Sequence, residues 1–300
     1  MVRIAINGFG RIGRSLTRAL QQYKNIEIVA INDLADTNTL AHLLKYDSVH
    51  GKFDGEISST DNSIAINQKS IHVLNEKNPK NLPWSSLDID IVIESTGLFL
   101  TKELASQHLT AGAKKVILSA PPKSEDIKTI VLGINDTNID GTEAIISNAS
   151  CTTNAAAPLI KVLHDLYHIE SAYITTVHSY TSDQTLHDAP HKDLRRARSG
   201  ALSIIPTTTG AAKAITKIFP DLDGNIGGCG IRVPVPNGSL IDISVILKED
   251  TTVEAINKAF KEASETYLKG ILEYTEDPLV SIDIVGNPYS CIFDSQLTSI

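Results

Sequence analysis

Short apolar runs, separated by segments of helical periodicity, dominate the first half of the chain. The runs have the continuous apolar character of strands that are buried on both faces. They lie at residues 2–7, 26–32, 89–95 and 115–119. Between them, residues 11–22 and 102–113 carry apolar side chains three or four positions apart, which is typical of helices packed along one face. Strands that alternate with helices predict a doubly wound, mainly parallel α/β sheet.

A glycine-rich turn joins the first predicted strand to the first predicted helix. Gly8, Gly10 and Gly13 fit the pattern G-x-G-x-x-G, and Asp33 follows Gly13 by 20 residues. In dinucleotide-binding folds such glycines allow a tight turn, close approach of the pyrophosphate and close helix packing. Asp33 can accept hydrogen bonds from ribose hydroxyls and would repel a 2′-phosphate, which predicts NAD rather than NADP. Ser119 ends a later strand and is a candidate contact on the nicotinamide side.

The second half begins with a cysteine at the start of a predicted helix. This helix is expected to run from Cys151 to about Tyr167, and the unpaired N–H groups and dipole at its N-terminus favour the thiolate. A strand predicted at residues 171–178 ends at His178, which is a candidate base for that thiol. Cys151 and His178 are 27 positions apart, so they can meet only through the fold.

Candidate anion-binding residues follow. The segment at residues 181–205 lacks clear periodicity and contains Arg196, which lies either on a solvated or subunit-facing surface or in an anion site. Thr209 and Gly210 precede a predicted helix, where hydroxyls and free N–H groups favour phosphate. Arg232 lies in an apolar, strand-like context and is expected to have an anionic partner, which is either internal or a ligand.

Composition narrows the class of protein. The 300 residues allow two domains, and 42% hydrophobic and 21% charged residues are ordinary for a globular protein. The net charge of −8 argues against a protein built to bind nucleic acid, and no segment approaches the roughly 18 apolar residues that span a membrane. Three widely spaced cysteines match neither a disulfide framework nor a metal site, and Cys229 and Cys291 are expected to be buried. We therefore expect a reduced, cytoplasmic enzyme that holds no metal.

These features together resemble the phosphorylating glyceraldehyde-3-phosphate dehydrogenase family. The matching motifs stand at residues 6–14, 149–154, 178–181, 208–214 and 232–234. The resemblance covers essentially the whole chain. It implies a Rossmann-type NAD-binding domain at residues 1–149 and an α+β catalytic domain at residues 150–300 with a mixed, largely antiparallel sheet. It also implies a homotetramer.

The resemblance further implies a reaction. Glyceraldehyde 3-phosphate would be oxidised to 1,3-bisphosphoglycerate with NAD and inorganic phosphate, through a thiohemiacetal and a thioester on Cys151, with His178 as the base. The residues that match the substrate phosphate site are Thr181 and Arg232. Those that match the site of the attacking phosphate are Ser150, Thr152, Thr209 and Gly210, with Arg196 as a further candidate nearby. The residues that match NAD contacts are Arg11, Ile12, Asp33 and Ser119.

The chain departs from the family pattern at three places. Ala155 stands where many relatives have a second cysteine, which the mechanism does not use. Ala189 stands where bacterial relatives that prefer NAD often have leucine, although Asp33 and Pro190 still favour NAD. The family continues beyond the position of Ile300 through a strand and a C-terminal helix, with an asparagine that contacts the nicotinamide. We therefore expect the sequence to be a piece of a longer chain.

Two alternatives remain open at the level of sequence. One is erythrose-4-phosphate dehydrogenase, a related enzyme with the same nucleophile. Such enzymes lack the Thr-Thr-Gly loop found at residues 208–210 and hydrolyse the acyl-enzyme, so a requirement for phosphate separates the two. The other is a catalytically weak NAD-binding protein, which would bind NAD without turnover.

Overall fold

The computed structural model describes residues 1–300 and divides into two compact units. Unit 1 comprises Met1–Ile130 and Thr137–Ala149, and unit 2 comprises Val131–Asp136 and Ser150–Ile300. Each unit has a principal sheet of its own. None of the helices combines the length and the apolar character needed to cross a bilayer.

Unit 1 is built from three helices and eleven strands. In chain order these are β1 (Val2–Asn7), α1 (Arg11–Leu20), β2 (Ile26–Asn32), α2 (Thr37–Lys45), β3 (Tyr46–Asp47), β4 (Gly51–Lys52), β5 (Ile57–Ser59), β6 (Ser63–Ile66), β7 (Lys69–Leu74), β8 (Ile91–Glu94), α3 (Lys102–Thr110), β9 (Lys115–Leu118), β10 (Lys128–Thr129) and β11 (Ile145–Ser147). Nine of the strands form one sheet in the order β10-β11-β9-β8-β1-β2-β7-β6-β5. The pairs from β10 to β7 are parallel, which confirms the predicted Rossmann-type sheet.

The antiparallel edge of this sheet was not predicted. β5, β6 and β7 pair antiparallel, and Asn67 and Gln68 connect β6 to β7 with φ angles of 48° and 70°. Positive φ at both central residues gives a hairpin whose twist matches its strands. Because these strands are short and alternate buried with exposed positions, the sequence lacks the continuous apolar run that marks the central strands.

The core of unit 1 explains why three consecutive residues of β1, Ile4 to Ile6, are apolar. Ala5 is buried among side chains of one cluster that includes Trp84 and Val92, whereas Ile6 belongs to another cluster that includes Leu40. Neighbouring residues of a strand point to opposite faces, so β1 needs apolar residues at consecutive positions. This burial on both faces holds the end of β1, where the glycine turn begins, in a fixed place.

Two helices of unit 1 end earlier than predicted. In α1 the final turn tightens, since the Gln21 N–H donates to the carbonyl of Arg18 at 3.4 Å, and the helix stops at Leu20. In α3 the left-handed Gly112, with φ of 106°, closes the helix. The Ala113 N–H reaches back to the His108 carbonyl at 3.1 Å, which is the hydrogen bond of a Schellman cap.

Unit 2 contains three helices and six strands. In chain order these are α4 (Cys151–Tyr167), β12 (Ile169–Ser179), β13 (Ile205–Thr207), α5 (Ala211–Ile218), β14 (Ile226–Val233), β15 (Ser239–Leu247), α6 (Val253–Glu265), β16 (Leu272–Thr275) and β17 (Cys291–Asp294). The principal sheet has the order β13-β14-β12-β15. β12 runs parallel to β14 and antiparallel to β15, and β13 runs antiparallel to β14. The predicted mixed, largely antiparallel sheet is confirmed.

Candidate active site

In the glycine turn of unit 1, Gly8 and Gly13 have no room for a side chain, whereas Gly10 faces open space. Gly8 has a φ of 93°, and a Cβ there would lie 2.7 Å from the Thr96 backbone nitrogen. A Cβ on Gly13 would lie 2.4 Å from the Gly8 carbonyl oxygen. A Cβ on Gly10, by contrast, would meet nothing within 4 Å, and Gly10 caps α1 without a side-chain hydrogen bond. Open space beside free helix N–H groups suits a pyrophosphate.

The acid at the end of β2 is tied directly to this turn. Asp33 Oδ2 accepts from the Phe9 N–H at 2.7 Å, and Oδ1 accepts from the Ala35 N–H at 3.0 Å. A carboxylate has about four acceptor positions, so two remain for the hydroxyls of a ribose. The turn and its acid therefore fit the adenosine half of a dinucleotide.

The remaining NAD candidates of unit 1 lie on α1 and just after β9. Arg11 Nη1 lies 3.4 Å from both carboxylate oxygens of Asp47. Burial raises the pKa of Asp47, but hydrogen bonds from the His50 and Val49 N–H groups and the charge of Arg11 outweigh this and lower its pKa to about 2. Ile12 is 53% exposed, although it lies on a helix with buried residues. Ser119 follows β9, and its N–H donates to the carbonyl of Glu94.

A buried carboxylate beneath the turn was not recognised in the sequence. Glu94 ends β8 and is fully buried. Its Oε2 accepts from Asn7 Nδ2 at 2.6 Å and from His108 Nε2 at 3.1 Å, and its Oε1 accepts from the Thr96 N–H at 2.8 Å and from the Thr96 hydroxyl. The Trp84 indole N–H donates to His108 Nδ1 at 3.0 Å, which leaves the proton of a neutral ring on Nε2. Four donors thus hold one carboxylate at the base of the glycine turn.

Helix α4 of unit 2 begins at the predicted nucleophile. Ser150 is its N-cap, and the Ser150 hydroxyl accepts from the Thr153 N–H at 3.1 Å. Cys151 is the first helical residue and is exposed. Immediately before the cap, Ala149 has a left-handed φ of 58°, a conformation that alanine rarely adopts. The thiol therefore stands at the positive end of a capped helix of 17 residues.

The structure brings Cys151 and His178 together. Cys151 Sγ lies 3.4 Å from His178 Nε2 and 3.9 Å from the Thr152 hydroxyl. Desolvation raises the pKa of the Cys151 thiol, but the hydrogen bond and charge of His178 outweigh it, so that the pKa lies below the ordinary thiol value. A thiol polarised by a neighbouring imidazole has the chemistry that a nucleophile and its base require.

A second basic group joins the pair through the register of two parallel strands. His178 of β12 is the direct partner of Arg232 of β14. Arg232 Nη1 lies 2.7 Å from His178 Nδ1 and donates to the Ser179 carbonyl at 2.9 Å. Burial lowers the pKa of Arg232, and the nearby charge of Arg196 lowers it further. A half-buried cation with only neutral hydrogen-bond partners is suited to an anionic ligand.

The other anion candidates of unit 2 differ in whether their polar groups already have partners within the protein. The Thr209 hydroxyl accepts from the Ala211 N–H at 3.2 Å, and Gly210 caps α5 without a side-chain bond. Thr181 is exposed just after β12. Arg196, however, is already bound within its own segment, because it pairs with Asp183 and donates to the Thr207 hydroxyl at 3.0 Å and 3.1 Å. Arg196 is therefore less available to an added anion than Arg232 is.

Comparison with known proteins agrees with this arrangement. Residues 2–102 match the family model described as glyceraldehyde 3-phosphate dehydrogenase, NAD binding domain, and residues 150–300 match its C-terminal domain. Over its whole length the chain is 54% identical to glyceraldehyde-3-phosphate dehydrogenase of Geobacillus stearothermophilus, of which it covers 89%. It is 55% identical to the protein of the same name from Thermotoga maritima, of which it covers 90%.

The chain belongs to the glyceraldehyde 3-phosphate dehydrogenase family. The resemblance stated from motifs is thereby confirmed, and the family model identifies residues 2–102 as NAD-binding. Within unit 2, hydrogen bonds connect Cys151, His178 and Arg232, three of the residues named from this family's motifs. The glycine turn and Asp33 form their own hydrogen-bonded cluster within unit 1.

The two remaining cysteines of this family member differ from each other. Cys291 is buried, as predicted, and burial raises its pKa to about 12. Cys229 is only half-buried, so the prediction of a buried residue was wrong. It borders a cavity of about 390 Å³, which leaves part of its side chain uncovered.

Proposed function

We propose that the protein catalyses the NAD-dependent, phosphorylating oxidation of D-glyceraldehyde 3-phosphate to 1,3-bisphosphoglycerate. The observation that supports this most directly is the contact of Cys151 Sγ with His178 Nε2 at the N-terminus of α4, beside the half-buried Arg232. Curated relatives that bear the name of this enzyme are 52–55% identical over the whole chain. A substrate with an aldehyde and a phosphate fits this arrangement, because the thiol can attack the aldehyde and the guanidinium can bind the phosphate.

The chemistry follows from the properties of a thiolate. Cys151 attacks the aldehyde carbon, and His178 takes the thiol proton and stabilises the oxyanion of the thiohemiacetal. When bound, NAD supplies the acceptor for the hydride that leaves this carbon. The resulting thioester on Cys151 is then cleaved by inorganic phosphate, and the sulfur leaves as a thiolate. Cysteine serves both steps because it is a good nucleophile and a good leaving group.

Two anion sites are needed for this reaction. We assign the substrate phosphate to Thr181 and Arg232. We assign the attacking phosphate to Ser150, Thr152, Thr209 and Gly210, where helices α4 and α5 begin, with the charge of Arg196 nearby. Helix N-termini and hydroxyls are ordinary partners of phosphate.

We propose that residues 1–149 act as the NAD-binding domain and residues 150–300 as the catalytic domain. The first holds the adenosine half of NAD through Gly8, Gly10, Gly13 and Asp33. Arg11, Ile12 and Ser119 are further proposed contacts of the cofactor. The open space at Gly10 and the two free acceptor positions of Asp33 support this assignment.

A steady-state assay tests the proposed reaction. With NAD and glyceraldehyde 3-phosphate, turnover should require inorganic phosphate, and NAD should be used in preference to NADP because Asp33 repels a 2′-phosphate. The matched assay with erythrose 4-phosphate serves as the control. Oxidation without phosphate would instead favour the erythrose-4-phosphate enzyme, and NAD binding without turnover would favour a catalytically weak NAD-binding protein.

We also propose a homotetramer located in the cytoplasm. The outer face of the unit 2 sheet supports the assembly, because Tyr173, Leu240 and Ile246 on β12 and β15 are each at least half exposed. Apolar patches of this kind are typical of subunit contacts. Sedimentation should give four times the chain mass of 32.4 kDa, and Leu240→Asp should shift the protein toward smaller species. A monomeric wild-type protein would contradict the proposal.

A further inference from the structure

The two arginines named for the anion sites differ in their charged partners. Arg196 forms ion pairs with two carboxylates, through Nη1 with Asp183 and through Nε with Asp193 at 3.6 Å. Arg232 forms none, and its Nη1 donates to the Ser179 carbonyl at 2.9 Å. Of the two guanidiniums that could bind a phosphate, one is therefore already neutralised inside the protein.

Arg196 lies close to the residues assigned to the attacking phosphate. Its Nε and Nη2 donate to the Thr207 hydroxyl at 3.1 Å and 3.0 Å, and Thr207 ends β13 two residues before Thr209. Besides burial, which has the largest effect, the charge of Arg196 lowers the pKa of Arg232, so the two guanidiniums interact. Thr207 thus fixes one side of the Arg196 guanidinium, while Nη1 on the other side is held by Asp183.

Asp183 has the properties of an anion that another anion can replace. Its side chain is 50% exposed and that of Arg196 is 20% exposed, so the carboxylate can turn into solvent while the guanidinium stays in place. Desolvation raises the pKa of Asp183, but the hydrogen bond and charge of Arg196 outweigh it and hold this pKa below its ordinary value. Asp183 is therefore ionised at neutral pH and occupies the charge-assisted hydrogen bond that a phosphate oxygen would form.

We propose that Asp183 competes with inorganic phosphate for Arg196 and so keeps the affinity of the attacking-phosphate site low. A phosphate that binds there takes the hydrogen bond of Nη1, and Asp183 turns toward solvent. Arg232 has no such competitor, so the substrate phosphate binds preferentially at Arg232 and the two anion sites stay distinct. This inference rests on the proposed function, in which Arg196 lies near the attacking phosphate.

Binding of inorganic phosphate to the full chain tests the competition without turnover. In Asp183→Asn the side chain keeps its shape but loses its charge. The Kd for phosphate, measured by calorimetry in the absence of aldehyde, should therefore fall by on the order of tenfold. A merely structural role of Asp183 would weaken binding instead. In steady-state kinetics the KM for phosphate should fall in parallel, while the KM for glyceraldehyde 3-phosphate should change little.

Three further variants locate the effect. Asp188→Asn is the matched control, because Asp188 pairs with Arg198 at 2.8 Å in the same segment and its replacement removes the same charge. Its phosphate affinity should stay close to that of the wild type. Asp183→Asn combined with Arg196→Met should lose the gain, which separates Arg196 from Arg232. If Asp183→Asn does not fold, Asp183→Ser removes the same charge and should tighten phosphate binding in the same way.

An unchanged or weaker phosphate affinity in Asp183→Asn would overturn the proposal, as would a gain that persists without Arg196 or appears equally in Asp188→Asn. Each of these results can occur in an enzyme whose turnover requires phosphate. Tighter phosphate binding in a protein without phosphate-dependent turnover would instead contradict the proposed function and still support the competition at Arg196. The two failures are therefore distinguishable.

Discussion

Replacement of Cys151 by serine should lower kcat/KM for glyceraldehyde 3-phosphate by about 10⁴-fold or more, which is the scale seen when an enzyme loses its nucleophile. The hydroxyl of serine is far less acidic than a thiol, so His178 at this position would have to generate an alkoxide. An alkoxide is also a poor leaving group in the phosphorolysis step. NAD binding should remain unchanged, because the proposed cofactor contacts lie in unit 1. Steady-state kinetics and NAD titration measure both quantities.

Cys229 is the matched control for this substitution. It is half-buried in β14, and its sulfur lies 4.0 Å from the Thr175 hydroxyl and has no contact with His178. Cys229→Ser should therefore retain activity within a few-fold of wild type. If Cys151→Ser were to keep activity within tenfold of the wild type, the thioester mechanism would be excluded.

The reactivity of the wild-type thiol gives an independent readout of the same prediction. Because His178 holds the pKa of Cys151 below the ordinary thiol value, its alkylation by iodoacetamide should reach a plateau at a lower pH than that of a free thiol. Cys291, whose pKa is raised to about 12 by burial, should remain unmodified. Peptide mapping after alkylation distinguishes the two sites.

The parts of the fold that the sequence predicts well are those in which local signals agree. β1 and β2 have the predicted bounds because glycine and polar residues flank continuous apolar runs. Helix α4 begins at Cys151 and ends at Tyr167, as predicted, because Ser150 is a strong N-cap and the apolar spacing continues to the end. The antiparallel hairpin of β6 and β7 lacks such signals, since its turn uses Gln68 where a glycine would be the usual marker.

In the candidate site, too, some features have local sequence signals and others depend on the fold. Motifs identify Cys151, His178 and Arg232, but only the parallel register of β12 and β14 places His178 opposite Arg232. A shift of one residue would turn the side chain to the other face of the sheet, and no local pattern fixes that register. The sequence likewise gives no sign that Arg196 is bound by Asp183, because this pairing depends on the irregular segment between β12 and β13.

The hydrogen-bond network of Glu94 cannot be recognised from the periodicity of the sequence. It stands at the end of an apolar run and was treated as part of a strand, although every acceptor position of its carboxylate is used. Its donors come from β1, from the residues after β8 and from α3, so the network joins three elements under the glycine turn. Ser95 adds a hydrogen bond from its hydroxyl to the Gly8 carbonyl at 2.7 Å. In the sequence, this network is indicated by polar residues that lie at the ends of neighbouring strands.

Replacement of Glu94 by alanine should therefore lower the free energy of unfolding of unit 1 by about 3–5 kcal/mol, because several buried donors lose their acceptor at a cost of about 1–3 kcal/mol each. The substitution leaves the buried Asn7 amide and His108 Nε2–H, and the two donors of the partly buried Thr96, without an acceptor. Thermal unfolding should show a Tm lower by on the order of 10 °C. NAD affinity should also fall, because Asn7 leads directly into the glycine turn.

Glu125→Ala is the matched control, since Glu125 is an exposed glutamate of the same unit, and it should stay within about 0.5 kcal/mol of wild type. If Glu94→Ala fails to fold, Glu94→Gln tests the same network while keeping the shape of the side chain. If the amide nitrogen took the place of Oε2, it would face the Asn7 amide and His108 Nε2–H, and Trp84 prevents the ring from moving its proton to Nδ1. If it took the place of Oε1, it would face the Thr96 N–H, so in either orientation at least one donor loses its acceptor. Glu94→Gln should therefore also be destabilised, and a free energy of unfolding within 1 kcal/mol of wild type in both variants would show that the carboxylate is not needed to hold the turn.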